Sequence, residues 1–129
     1  NLRPGMGMAA IQLGINKRYF VVVHEVTEED DEEQKFDTYV IINPEIISHS
    51  EEEICADAGE GCLSVNREVD GYVIRYARVK VQGYDINGNK IVVRAREELA
   101  IAFQHEIDHL NGILFIDKVT NDIEGIRTI

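Results

Sequence analysis

Hydrophobic and polar positions along the first half of the chain predict a series of extended segments. Residues 17–26, KRYFVVVHEV, are rich in β-branched and aromatic side chains and predict a buried strand. Residues 36–50 predict a second strand that ends before Pro44, followed by a third extended piece. Residues 51–65 predict another strand that runs into a tight, glycine-flanked bend and then a short strand.

A hairpin is predicted from the alternation in residues 72–96. The alternating positions on its first arm are Val73, Arg75, Val79 and Val81. Asn87-Gly88 suits a two-residue type I′ turn, and residues 91–93 return as the second arm. The chain therefore continues in extended structure up to about residue 95.

The period of the pattern then changes from strand to helix. From about Arg96 the apolar positions recur at helical spacing, and Gly112 after Asn111 suits the C-terminal cap. The core stripe of this helix is Leu99, Phe103, Ile107 and Leu110. Strands first and one strong helix late favour an α+β domain over a doubly wound sheet.

Length and charge narrow the class of protein. A chain of 129 residues is typical of one domain, so we expect a single domain over residues 1–129. Gly5 and Gly7 lack the third glycine and the preceding strand of a dinucleotide fingerprint. The net charge of −11, from 24 acidic and 13 basic residues, argues against a broad nucleic-acid contact surface.

Local charge and cysteine usage add three expectations. Residues 25–33 hold seven acidic side chains in nine, which predicts a solvated loop. The sequence contains neither an apolar stretch of membrane-spanning length nor a signal peptide, so we expect a soluble, cytoplasmic protein. In a reducing compartment Cys55 and Cys62 would be free or metal-bound, and Cys55, inside an apolar run, is expected to be a buried small residue.

The segment AIAFQHEIDHLNG on the predicted helix carries candidate chemistry. His105 and His109 lie four residues apart, so on a helix their rings share one face and can converge on a metal ion. Glu106 would lie beside such an ion and suits a general base. The alternative is that both histidines are ordinary residues of an amphipathic helix.

A catalytic metal site typically needs a third protein ligand. The candidates are Cys62, Cys55, His24, His49 and any of the carboxylates. Cys62 is favoured by its setting, GEGCLS, because the glycines allow a sharp backbone path and a close approach. We interpret His49 as polar surface and His24 as a strand residue.

Three motifs carry a resemblance to a known family. GMGMAAIQ at residues 5–12, EGCLS at 60–64 and HEIDH at 105–109 resemble, in order, the three signature motifs of peptide deformylases. The resemblance runs from Gly5 to about Lys118 and is strongest to the longer deformylases of Gram-positive-type bacteria. It implies antiparallel and mixed sheets around one central metal-binding helix. It also implies that an N-terminal family segment, including a first helix, is absent from this chain.

The resemblance assigns roles to residues of the site. Cys62, His105 and His109 would hold one divalent metal ion per chain, with Fe²⁺ as the expected native metal and Zn²⁺, Ni²⁺ or Co²⁺ able to occupy the same site. Glu106 would be the general base. The Gln12 side-chain amide and the Leu63 backbone N–H would stabilise negative charge on the formyl oxygen.

The implied substrate is the N-formyl-methionine that begins a nascent chain, and the implied product is formate. The residues expected to bind this peptide are Met6, Gly7, Gly59, Glu60, Gly61, Ile101 and Ala102. Of these, Met6, Ile101 and Ala102 are the candidates for the methionine side-chain pocket. An ion pair between Glu60 and Arg75 is expected to stabilise the bend that carries Cys62.

We expect a monomer that acts on N-formyl-methionyl peptides and contacts the ribosome exit region transiently. No direct nucleic-acid binding and no membrane association are predicted, and an organelle is the alternative to the cytoplasm. Two rival functions stay open. One is a metallopeptidase, since His-Glu-x-x-His also begins zinc protease helices. The other is a non-enzymatic binding module that keeps the fold and the metal.

Overall fold

A computed structural model describes residues 5–9, 17–56 and 71–129. In chain order the strands are β1 (Gly5–Ala9), β2 (Tyr19–Glu25), β3 (Phe36–His49), β4 (Glu53–Cys55), β5 (Arg75–Tyr76), β6 (Arg78–Tyr84), β7 (Lys90–Arg96) and β8 (Arg127–Thr128). Helix α1 spans Glu97–Leu110, and a short 3-10 helix follows at Phe115–Asp117. The strands and the late helix confirm the predicted α+β class.

Five strands form an antiparallel sheet in the order β1-β2-β3-β6-β7. Alternation along β2 turns Phe20 and Val22 toward α1, and the register places Ile41 of β3 opposite Phe20. The buried residues of the resulting core are Ala9, Phe20, Val22, Ile41, Val79, Val81, Ala95, Leu99, Ala100, Phe103, Ile107 and Leu110. All four residues of the predicted helical stripe belong to this core, so that prediction is confirmed.

A smaller sheet has the order β5-β4-β8. β4 pairs with β5 in antiparallel fashion and with β8 in parallel fashion, so the small sheet is mixed. Its buried side chains form a second core cluster of Ile54, Ala77 and Ile101. Because Ile101 comes from α1, this cluster holds the small sheet against the helix.

Helix α1 ends in a defined capping motif. The Gly112 N–H donates to the His109 carbonyl at 3.0 Å, and the Ile113 N–H donates to the Asp108 carbonyl at 2.8 Å. These two bonds form a Schellman motif, which requires the left-handed φ of +78° that Gly112 adopts. The predicted stop at Gly112 is confirmed.

The prediction of two separate extended pieces around Pro44 is wrong. β3 continues through this proline for 14 residues. Its pairing with β6 shifts register between Ile42 and Glu45, and Asn43 takes a left-handed φ of +51°. The strand thus accommodates the proline in a bulge, where the missing N–H costs no ladder hydrogen bond.

The hairpin prediction is correct for β6 and β7, and wrong in its turn and in the start of its first arm. β6 and β7 pair from Arg78 to Arg96, but β5 belongs to the small sheet rather than to the same arm. Gly88 has a φ of +82°, whereas Asn87 does not have the positive φ that a type I′ turn needs. Asp85 explains the difference, because its carboxylate accepts hydrogen bonds from the Asn87 and Asn89 N–H groups at 2.9 Å and stabilises a longer loop.

The structure also tests the predictions for the acidic segment, for Cys55 and for part of residues 51–65. The acidic segment 25–33 is a largely exposed connection between β2 and β3, and Cys55 is fully buried, as predicted. Residues 51–65 begin with the expected strand, β4, whereas their predicted bend and second strand lie outside the described residues. Within the described ranges, no helix combines the length and apolar character needed to cross a membrane.

Candidate metal centre

The two histidines of α1 converge on one buried point. His105 and His109 are 6% and 4% exposed, and their Nε2 atoms lie 2.9 Å apart. The ring centroids are 4.7 Å apart with an interplanar angle of 44°. This convergence follows from the helical period, which stacks residues i and i+4 on one face.

The separation of the two nitrogen atoms fits a shared metal ion. Two imidazoles bound to one tetrahedral ion, with metal–nitrogen distances near 2.05 Å, have their nitrogens about 3.3 Å apart. The distance of 2.9 Å between the His105 and His109 Nε2 atoms is within a few tenths of an ångström of that value. Imidazole nitrogen also suits Fe²⁺, Zn²⁺, Ni²⁺ and Co²⁺ as a ligand type. The donor pair therefore fits the predicted ion.

A carboxylate and an aromatic ring lie next to this pair. Glu106 follows His105 on the helix and is only 4% exposed. The ring of Phe115, from the 3-10 helix, stacks beside His105 with centroids 6.0 Å apart. The site thus combines two imidazoles and a carboxylate with an apolar wall, and burial strengthens the electrostatic interactions among them.

A partly buried ion pair joins β5 to α1. The Arg75 guanidinium on β5 donates to the Asp108 carboxylate, and Arg75 is 2% exposed. Lys118 contacts the same carboxylate oxygen at 2.9 Å. The sequence assigned Arg75 to a pair with Glu60, which lies outside the described residues, so that pair stays a prediction. Asp108 is an additional partner that the sequence analysis missed.

Two further residues position the helix. The Gln104 side chain accepts from the Tyr76 N–H and donates to the Tyr76 carbonyl, both at 2.9 Å. At the other end, Arg18 donates to the Leu110 carbonyl at 3.0 Å and to the Asn111 side chain at 3.1 Å. The residues joined by these contacts are 28, 92 and 93 positions apart in sequence. A local sequence pattern carries no signal for such pairings.

Several predicted site residues lie outside the described ranges. They are Gln12, Gly59, Glu60, Gly61, Cys62 and Leu63. Met6 and Gly7 lie on β1, where they pair with Val23 and Val22. Within the described ranges, no group of three or more His, Cys, Asp or Glu side chains forms a ligand set. The third ligand therefore stays a prediction.

The remaining predicted residues have defined places. Ile101 is buried with Ile54 and Ala77, whereas Ala102 is half-buried against the larger core. His49 is exposed at the end of β3, as expected, and stacks on Tyr76 with ring centroids 3.7 Å apart. His24 is half-buried on β2, again as expected for a strand residue.

The fold and the site together define an α+β domain with a buried His-Glu-x-x-His turn on its central helix. The family model described as polypeptide deformylase matches residues 1–124, and the chain belongs to this family. This result confirms the resemblance that the three motifs indicated.

Curated relatives agree with this membership. The chain is 49% identical to peptide deformylase 2 of Geobacillus stearothermophilus over 118 residues, which cover 92% of the chain and 61% of that relative. It is 47% identical to the peptide deformylase of Listeria monocytogenes over 122 residues, covering 94% of the chain and 63% of the relative. The chain thus spans about three fifths of the length of these curated relatives.

Solved structures resemble the same fold. A class I type b peptide deformylase from Acinetobacter baumannii, with Met-Ala-Ser bound, has a TM-score of 0.74 and 36% identity, covering 88% of this chain and 69% of that one. The peptide deformylase from Ehrlichia chaffeensis has a TM-score of 0.72 and 40% identity, covering 88% and 64%. The expected fold, with antiparallel and mixed sheets beside a helix, is confirmed.

Proposed function

We propose that the chain is a metal-dependent hydrolase that removes the formyl group from the N-terminal formyl-methionine of nascent polypeptides and releases formate. The observation that carries this proposal is the buried His105–His109 pair, with Nε2 atoms 2.9 Å apart and Glu106 beside it, in a member of the deformylase family. Proteins of this family are metal-dependent. The named relatives are all peptide deformylases.

In this proposal Cys62, His105 and His109 hold one divalent ion, with Fe²⁺ as the native metal. One thiolate and two neutral imidazoles leave a net positive site that suits hydrolysis. When bound, the ion supplies Lewis acidity, which polarises the formyl carbonyl and lowers the pKa of water. Zn²⁺, Ni²⁺ and Co²⁺ would fit the same donors.

Glu106 moves the proton in the proposed reaction. Its carboxylate takes a proton from the water that attacks the formyl carbon, so a carbon–oxygen bond forms. The same proton then passes to the amine nitrogen as the carbon–nitrogen bond breaks, which leaves formate and a free N-terminus. The Gln12 side-chain amide and the Leu63 N–H donate hydrogen bonds to the negative formyl oxygen.

The proposed peptide site lies along β1. Among the described strands, β1 lies at the edge of the larger sheet, where the backbone of Met6 and Gly7 could accept a peptide as an added strand. The segment Gly59, Glu60 and Gly61 would line the other side of the peptide. Ile101 and Ala102, together with Met6, would supply the apolar pocket for the methionine side chain.

The proposal also covers the location, the oligomeric state and the partners of the chain. We place the chain in the cytoplasm as a monomer, with transient contact to the ribosome exit region and with no nucleic-acid or membrane partner. The excess of 24 acidic over 13 basic residues supports the absence of a nucleic-acid contact surface.

The test measures formate release from formyl-Met-Ala-Ser by the anaerobically purified, metal-loaded chain. The wild-type chain should release formate. Glu106→Ala should keep the metal but lose about 10²–10⁴-fold in rate, the usual contribution of a general base. His105→Ala should lose the metal, whereas His49→Ala, a change at an exposed histidine, should alter neither.

Other outcomes identify the rivals. Cleavage of the unformylated peptide would indicate a metallopeptidase. A folded, metal-loaded chain that binds formyl-methionine without releasing formate would indicate a binding module. An unchanged rate in Glu106→Ala would contradict the assigned base.

A further inference from the structure

Among the described strands, β7 lies at one edge of the larger sheet and β1 lies at the other. On its inner side β7 pairs with β6 in one constant antiparallel register. Its outer side presents an extended backbone of seven residues. The formylated peptide is assigned to the β1 edge, so the β7 edge is a separate surface.

The register shows which backbone groups of β7 point away from β6. In an antiparallel pair, residues that bond to the partner strand alternate with residues whose N–H and C=O groups point outward. Backbone hydrogen bonds of 2.9 Å join Asn89 to Asp85 and Glu97 to Ala77, at the two ends of the β7 ladder. The odd-numbered residues of β7 therefore bond to β6. The even-numbered residues direct their N–H groups to the free edge, and they are Lys90, Val92, Arg94 and Arg96.

The residues with outward backbone groups also have exposed side chains. All four are exposed, and Val92 is 51% exposed. The intervening Ile91 and Val93 pack against the core. An added strand would thus meet free backbone groups and, on one face, a basic side chain at three of the four positions.

A second row of positive charge lies beside this edge. Lys80 of β6 is directly opposite Arg94, and Arg78 is directly opposite Arg96. Like charges that face each other across two strands destabilise a sheet. Glu52 neutralises Arg78 at 2.9 Å, whereas neither Lys80 nor Arg94 forms an ion pair within the described ranges. The chain thus keeps an uncompensated basic pair although its net charge is −11.

Protection of the edge does not account for this basic pair. Lysine and arginine on an edge strand hinder its pairing with other chains. Lys80, however, lies on β6, which has neighbours on both sides. A second copy of β7 placed along the edge would set basic residues against basic ones. The charges therefore disfavour self-pairing and favour an acidic strand.

A cavity of about 590 Å³ opens beside the C-terminal end of β7. Its lining includes Arg94, Arg96 and the three glutamates Glu25, Glu97 and Glu98. The cavity leaves this end of the edge uncovered, but its carboxylates offset the positive charge of Arg96. Acidic contacts are therefore expected along the part of the edge from Lys90 to Arg94.

We propose that the β7 edge binds an extended polypeptide that carries acidic side chains at alternate positions. The partner strand bonds to the outward backbone groups of Val92 and Arg94, which is the strand-addition mode of peptide recognition. Its carboxylates face Lys80, Lys90 and Arg94. The backbone contacts supply affinity, and the alternating charges supply specificity.

The chain's own acidic segment, residues 25–33, does not have the required shape. The Asp31 N–H donates to the Glu28 carbonyl at 3.0 Å, and the Asp31 carboxylate accepts from the Glu28 N–H at 2.8 Å. These bonds form a turn, whereas strand addition needs an extended backbone. The partner is therefore a different polypeptide.

The test measures the binding of labelled peptides to the metal-loaded full chain by fluorescence anisotropy at low ionic strength, where exposed charges are weakly screened. The probe is a heptapeptide that alternates glutamate and valine. Three matched peptides should bind at least about fivefold more weakly, the equivalent of one lost hydrogen bond. They are an alternating lysine and valine peptide, the glutamates and valines rearranged in two blocks, and the probe with methylated backbone nitrogens.

Variants of the chain locate the site. Arg94→Glu should weaken probe binding at least about fivefold, because a like charge replaces an opposite one. Lys17→Glu makes the same change at an exposed lysine before β2 and should stay within about twofold of wild type. Val92→Pro removes an outward N–H but no bond to β6, so the chain should fold and lose the probe. All three variants should release formate at the wild-type rate, since β1 lies at the other edge.

Hydrogen exchange identifies the backbone groups that the probe bonds. The amides of Val92 and Arg94 should exchange more slowly in the complex, because their N–H groups gain acceptors. The amides of Ile91 and Val93, which already bond to β6, should change little. This alternation distinguishes an added strand from a loose charge contact.

Several outcomes overturn the proposal and leave the proposed function intact. One is a probe that does not bind, or that binds equally well with methylated nitrogens. Amide protection on β1 instead of β7 is another. Equal affinity for poly(uridylic acid) would show that charge alone decides binding. A wild-type dimer that Val92→Pro abolishes would show that a second copy occupies the edge.

Discussion

The Arg75 guanidinium pairs with the Asp108 carboxylate where β5 meets α1, and Arg75 is 2% exposed. A buried charge that loses a carboxylate partner cannot replace that contact with water, so its desolvation is offset less well. Asp108→Ala should therefore lower the free energy of unfolding by about 1.5–3 kcal/mol, the usual contribution of a hydrogen bond to a charged group, measured by urea denaturation.

Lys118→Gln is the control for this prediction. Lys118 contacts the same carboxylate but is 42% exposed, so its loss should cost only about 0–1 kcal/mol. Equal losses in the two variants would show that the buried pair has no special role. A recovery of stability on combining Asp108→Ala with Arg75→Met would support the desolvation argument, because the double variant no longer carries the buried guanidinium.

Gln104 gives a second prediction. Its side chain bonds both the N–H and the carbonyl of Tyr76 on β5. Within the described residues, β4 is the only strand that pairs with β5. Gln104→Ala should cost about 0.5–1.5 kcal/mol of unfolding free energy, because the half-buried Tyr76 N–H loses its acceptor. Gln104→Glu should also destabilise the chain, since a carboxylate accepts from the Tyr76 N–H but cannot donate to its carbonyl. A neutral effect of Gln104→Ala would mean that water replaces the lost contacts.

Gly112 gives a third prediction, with a glycine control. Gly112 and Gly125 have φ of +78° and +79°, and an added Cβ would meet nothing within 4 Å at either position. Alanine should thus cost about 1–2 kcal/mol at each site through backbone strain alone. Only Gly112→Ala should also weaken metal binding, because relief of the strained φ would move the Gly112 N–H away from the His109 carbonyl that it bonds. Chelator competition on both variants checks this difference, and equal metal affinities would contradict it.

The acid sensitivity of the fold gives a fourth prediction. Arg127 lowers the pKa of Glu52 and of Glu97, and backbone N–H groups lower the pKa of Asp31 and Asp85. These groups bind protons more readily in the unfolded chain, so stability is full above their ordinary values and falls as pH drops through the folded values.

The unfolding free energy should accordingly begin to fall below about pH 4.5, the ordinary pKa of glutamate. Arg127→Gln should flatten this decline, because it removes the main cause of two of the four shifts. Urea denaturation at steps between pH 7 and pH 3 measures the slope. The same slope in Arg127→Gln and wild type would show that the arginine pairs do not contribute to acid stability.

The periodicity of the sequence predicted the features that depend on residues close together in the chain. The helical stripe from Leu99 to Leu110 and the strand that contains Phe20 were predicted because burial imposes a period on the chain. The convergence of His105 and His109 was predicted for the same reason. Pro44 was misread because a bulge can absorb a proline that would otherwise end a central strand.

The rest depends on pairings between distant residues. Neither Asp108 nor Gln104 carries a local signal of its partner on β5, and Arg127 is 75 residues from Glu52. The turn at Asn87 was misassigned because a side chain two residues earlier competes for its N–H. Such contacts follow from the tertiary fold, which the hydrophobic pattern constrains only coarsely.

The parallel pairing of β4 with β8 has a consequence for the order of folding during synthesis. The five strands described for the large sheet have been made once residue 96 leaves the ribosome, whereas the small sheet also needs residues 127–128. Arg127 of β8, which pairs with Ile54 of β4, thus leaves the ribosome 73 residues after Ile54. We expect β4 to gain protection from hydrogen exchange only after the large sheet and α1 have formed, because pairings between distant segments form slowly. The small sheet, which packs on α1 through Ile54, Ala77 and Ile101, would then be among the last parts of the nascent chain to form.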